Sequence, residues 1–112
     1  MNIDRDCWCK LKDVPRYKNV NYIHPLKQRV IYELISYTKE VYGDDVTLVV
    51  FGSTTSSRCT DTSDIDLLVG GPKAREFVPP LNDEYDIVYL DTLNKNDPLV
   101  EEIKRDGVLI YG

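Results

Sequence analysis

The sequence predicts a small α/β fold, a mixed sheet with helices packed on it, and three observations carry that prediction. A long stretch with apolar residues at three- and four-residue spacing precedes a series of short apolar runs. Those runs are separated by turn residues or by segments long enough for only a turn or two of helix. The 112 residues suit one domain with a real core and little room for a second module.

Residues 1–24 are polar, carry Pro15 and show no sustained period. They read as an N-terminal arm of unknown role, anchored by Trp8, Tyr17, Tyr22 and Ile23 or partly disordered, ahead of a domain spanning 25–112. Pro25 to Tyr42 reads as a helix. Leu26, Val30, Leu34 and Thr38 form its apolar stripe, with Ile31, Ile35 and Val41 alongside. Pro25 suits a first helical turn, and Gly43 suits a C-terminal cap. At helical spacing, Tyr32, Tyr37 and Tyr42 are a core edge or partner surface more readily than a base-stacking set.

Asp44-Asp45 turn the chain into a strand over Val46–Phe51, apolar almost throughout and therefore central. Residues 53–59 are expected to be a loop tightening into a short helix. A second strand over Ile65–Val69 is closed by Gly70-Gly71-Pro72. Lys73–Val78 can hold only a short helix before Pro79-Pro80 stops it. A third strand covers Tyr85–Leu90. Asp97-Pro98 is an N-cap and N1 pair for a helix to about Arg105. Gly107 ends it, and Val108–Tyr111 is a last edge strand.

Net charge is −5, which argues against broad binding to a nucleic-acid backbone. The charge is uneven: residues 1–29 carry +4, so the remainder carries −9. A basic arm of this kind contacts an acidic partner or an RNA, or is simply solvated. Three cysteines, an odd number, point to free thiols. Cys7, Cys9, Cys59 and His24 lack the paired spacing of a structural zinc site. No run approaches the eighteen or so apolar residues of a membrane span, and MNIDRDCWCKLKD has no signal-peptide core, so a cytoplasmic location is expected.

The chemistry concentrates in Val50–Gly70, VFGSTTSSRCTDTSDIDLLVG. In a strand, Asp64 and Asp66 project to one side and Ile65 and Leu67 to the other. Two adjacent carboxylates repel each other, and hard cations such as Mg²⁺ relieve that repulsion. Upstream, Gly52-Ser53 at a strand end can present backbone N–H groups and a hydroxyl to phosphate, helped by the dipole of any short helix that follows. Arg58, the loop's one cation, reaches a β- or γ-phosphate or stays in solvent. If the third strand lies beside the second, Asp86 joins Asp64 and Asp66. Glu84, in phase with it, and Asp91 compete for that role. Three such carboxylates can hold two metal ions for in-line displacement at phosphorus, with Asp86 also placed to take the acceptor's proton.

Gly-Ser, ten residues, then Asp-x-Asp resembles the signature of the polymerase-beta-like nucleotidyltransferase superfamily, whose most compact branch is the minimal nucleotidyltransferases. The resemblance runs from about Leu26 to the C-terminus and includes the acidic strand Tyr85–Leu90 and the closing helix and strand. It implies the polymerase-beta-like fold, ATP or another NTP as substrate, two Mg²⁺ ions and transfer of a nucleoside monophosphate, AMP above all, to a hydroxyl. It further implies an antitoxin-type partnership with a HEPN-domain toxin, a helical RNase whose tyrosine would be the acceptor. The chain departs from the family at Thr54-Thr55-Ser56-Ser57, where relatives carry arginine and glycine, and in its short link from Asp66 to Asp86. Two other readings stand beside this one. One is nucleotidylation of a small molecule such as an aminoglycoside; the other is a catalytically weak binding module that neutralises its partner by contact.

Overall fold

The computed structural model describes residues 22–93 and 97–112. It is an α/β domain built on a four-stranded mixed sheet. Helix α1 spans Pro25–Val41 and is followed by strand β1, Thr47–Phe51, and a 3₁₀ turn, Gly52–Thr55. Strand β2 is Ile65–Gly70 and strand β3 is Tyr85–Tyr89, with a 3₁₀ turn at Ala74–Glu76 between them. After a further 3₁₀ turn at Leu90–Thr92 come helix α2, Pro98–Asp106, and strand β4, Val108–Tyr111. The spatial order is β3-β2-β1-β4. β1 pairs antiparallel with both β2 and β4, and β3 pairs parallel with β2.

The nearly all-apolar run of β1 is central because both of its faces are covered. Leu48 and Val50 join Ile65, Leu67 and Val69 under Ile31 and Leu34 of α1. Val49 and Phe51 join Leu68 and Leu109 under Val100 and Ile103 of α2. Alternation along each strand therefore feeds two separate apolar clusters.

The caps follow the sequence closely. Pro25 opens α1 behind His24, whose Nδ1 accepts from the Leu26 N–H at 3.2 Å. Gly43, at φ +58°, closes the helix with its N–H on the Thr38 carbonyl. Asp97 caps α2 by accepting from the Leu99 N–H at 2.9 Å.

The inward stripe of α1 differs from the expected one. It runs Lys27, Ile31, Leu34, Thr38, while Leu26 and Val41 face solvent. Lys27 is buried because its ammonium finds oxygen partners, so this one of the basic residues counted over 1–29 is not solvated. Residues 1–21, with Cys7, Cys9 and most of the basic arm, lie outside the described residues. No described helix is long and apolar enough to cross a membrane.

Candidate active site

The site lies at one end of the sheet, where β1 stops and β2 and β3 begin. Parallel pairing of β2 with β3 sets Asp66 directly opposite Asp86, about 4.8 Å away across the ladder. Leu68 and Val88, next in phase on the same strands, sit together in the cluster under α2, so both carboxylates belong to that face. Asp66 is half-buried and Asp86 is exposed. Asp64 stands one residue before β2, also exposed, and its carbonyl accepts from the Thr54 hydroxyl at 3.5 Å.

The Gly-Ser turn touches this pair. Phe51 opposes Asp66 in the antiparallel register, so Gly52 follows immediately beside it. Gly52 adopts φ +77°, and a Cβ there would overlap the Asp66 carboxylate. The position therefore demands glycine twice, for its backbone and for the approach of the carboxylate. The turn that follows is a four-residue 3₁₀ segment. Its dipole is small, so the helical contribution expected from the sequence gives way to the turn's own N–H groups and hydroxyls. Thr55 donates to the Gly52 carbonyl at 2.8 Å, and Ser56 to that of Ser53 at 3.2 Å. The buried Thr54 accepts at its carbonyl from the His24 N–H, which ties the turn to the start of α1. The hydroxyl run that replaces the family's arginine and glycine thus stitches the turn together.

Electrostatics mark Asp66. Burial, then the charges of Asp86, Glu102 and Asp64, push its carboxyl up to about 6. Among the described residues, no ion pair relieves it. Glu102 was missed in the sequence reading. It lies on α2 between the buried Val100 and Ile103, and only the docking of that helix over β1 and β2 brings it to Asp66. The one sequence signal was its i,i+3 spacing from Leu99 on an inward-leaning helix face.

Arg58 is exposed, and the carboxylate it influences is Asp106 at the end of α2. Two hydrogen bonds from Arg105, at 3.1 and 3.0 Å, are the main reason Asp106 sits below its usual range. Arg105 and Asp106 line a cavity of about 280 Å³ together with Tyr22, Thr55, Gly107 and Val108. One wall of it is therefore the end of the Gly-Ser turn. Asp91 is elsewhere, paired with Arg75 at 3.1 Å. His24 is a helix cap and Cys59 is a buried free thiol, so neither points to zinc.

Among the described residues, no three carboxylate, histidine or cysteine groups converge as a finished metal cage. The donor set still fits a hard cation. It is all oxygen, mutually repelling and short of positive charge, and Mg²⁺ commonly takes one or two carboxylates with water and substrate phosphates completing the shell.

The family model for the nucleotidyltransferase domain matches residues 31–110, from within α1 into β4. No curated protein matches the chain.

Proposed function

Because the chain belongs to the nucleotidyltransferase domain family, we propose that it moves a nucleoside monophosphate, AMP from ATP, onto a hydroxyl of a macromolecular acceptor. The observation that supports this most is the Asp66–Asp86 pair, set opposite each other by the parallel register with Gly52 pressed against Asp66. Asp66 and Asp86, with Asp64 beside them, would hold the divalent cation. When bound, that cation neutralises the triphosphate and polarises the reacting oxygens.

The chain's own residues do the rest. Gly52 and Ser53 offer the turn to the phosphates, and the cavity beside Thr55 gives the nucleotide room. Asp86, exposed on an edge strand, takes the proton of the incoming hydroxyl. The acceptor oxygen forms a bond to the α-phosphorus as the bond to pyrophosphate breaks, and pyrophosphate leaves with the β- and γ-phosphates. Positioning and charge neutralisation are most of what such a transfer needs. The exposure of Asp86 favours an acceptor brought by another molecule, and the resemblance supplies the candidate, a tyrosine of a helical HEPN-domain toxin.

The test is titration of ATP with Mg²⁺ into the wild type and into Asp64→Asn/Asp66→Asn, followed by transfer of label from α-³²P-ATP to a HEPN-domain protein. Binding that needs both metal and carboxylates, with label on tyrosine, is the expected result. The departure from the family pattern at Thr54-Thr55-Ser56-Ser57 keeps a second reading beside this one, a contact-only antitoxin. That reading gains if the folded wild type binds no Mg-ATP yet still captures the toxin.

A further inference from the structure

Lys27 is a buried charge that the chemistry above does not use. It is 1% exposed, on the inward stripe of α1, and its Nζ donates to Asp83 Oδ2 at 2.7 Å and to the Asp61 carbonyl at 3.2 Å. An ammonium so deeply buried is costly unless its partners are fixed, and the geometry it then imposes is specific. The two partners lie on different loops. Asp61 is three residues before Asp64, and Asp83 is three residues before Asp86.

The linkage continues through the backbone. Asp83 Oδ1 accepts from the Glu84 N–H at 2.7 Å, and the Glu84 carbonyl accepts from the Ile65 N–H at 2.9 Å. Ile65 stands between Asp64 and Asp66. One ammonium therefore pins the starts of β2 and β3 to the same helix and sets the end of the ladder from which the carboxylates project.

We infer that Lys27 is a positioning residue, which holds Asp64 and Asp66 in register with Asp86 for a metal-bound nucleotide. The metal and nucleotide part of this inference rests on the function proposed above; the pinning itself does not. A purely structural ion pair would be replaceable by apolar side chains without consequence for the strand starts.

The experiment uses the full chain. Lys27→Met alone strands the Asp83 carboxylate and is expected to unfold readily, so the deciding variant is Lys27→Met/Asp83→Leu, which removes both charges. Two readouts are taken: amide exchange at Ile65 in metal-free protein, and affinity for Mg-ATP. The expected result is a folded variant whose Ile65 amide exchanges about tenfold faster while Leu34 in α1 is unchanged. Its Mg-ATP affinity falls about tenfold, as for other groups that orient metal ligands. Unchanged exchange at Ile65 overturns the inference, and so does faster exchange with wild-type affinity. A wild type that binds no Mg-ATP refutes the proposed function instead, and exchange at Ile65 still decides whether Lys27 pins the strands.

Discussion

Replacing Asp66 by Asn removes the charge that the fold holds least comfortably. The carboxyl titrates at about 6 against 3.8 in the unfolded chain. At 1.36 kcal/mol per unit, that difference is about 3 kcal/mol of destabilisation when Asp66 is ionised. The side chain is half-exposed, so screening reduces the figure to about 1–2 kcal/mol. The sign follows from proton counting. Between 3.8 and about 6 the folded state binds the extra proton, so stability falls as pH rises through that window, and the penalty is complete above it. Asp66→Asn should therefore be more stable than the wild type by about 1–2 kcal/mol at pH 7.5 in EDTA, measured by urea denaturation. The gain should shrink as pH falls below about 6 and vanish only below 3.8, where the carboxyl is protonated in both states. The same variant should lose the stabilisation that Mg-ATP gives the wild type. A variant no more stable at pH 7.5, or one whose advantage persists unchanged at pH 4.5, would refute the electrostatic account of the site.

Gly52→Ala should cost about 2 kcal/mol or more in the same denaturation assay, since the left-handed backbone and the Asp66 carboxylate both oppose a Cβ. In Glu102→Gln the Asp66 carboxyl should titrate below its value of about 6, because one of the charges raising it is gone; a carboxyl-carbon NMR titration reads this directly. Asp97→Ala should lose about 1 kcal/mol by removing the cap on the Leu99 N–H, with nucleotide affinity unaffected.

Most of the fold was legible because its signals are local. The β4 strand came out with the bounds expected, Val108–Tyr111, and the starts of both helices were marked by Pro25 and by Asp97-Pro98. Central placement of β1 followed from apolar residues at nearly every position. The site was legible in part. Gly52, Ser53, Asp64 and Asp66 share one stretch of sequence, but Asp86 depends on parallel pairing that local pattern does not specify. Lys27 was misread because periodicity counts a lysine as polar, whereas its long stem suits a core position once oxygens wait at the tip. Glu102 had only its spacing from Leu99 to mark it, because its role comes from how α2 docks over the sheet.

The short link between Asp66 and Asp86 looks like a weakness in sequence, since a parallel pair usually needs a crossover helix. Here the crossover leaves β2 at Gly70 and returns at Tyr85 with only the 3₁₀ turn at Ala74–Glu76 on the way. Side chains of α1 take over the task of holding it. The Tyr42 hydroxyl donates to the Glu76 carbonyl and accepts from the Val78 N–H, and the Tyr37 hydroxyl donates to the Val78 carbonyl. Further along, Asn82 donates to the Val30 carbonyl and to Glu33, and Lys27 then grips Asp83. Tyr37 and Tyr42 are therefore the core edge expected, packed against the cluster under α1, and they also fasten a crossover that has no α-helix of its own. Because β3 can pair parallel to β2 only when that crossover is held down, the placement of Asp86 opposite Asp66 depends on α1 along most of its length.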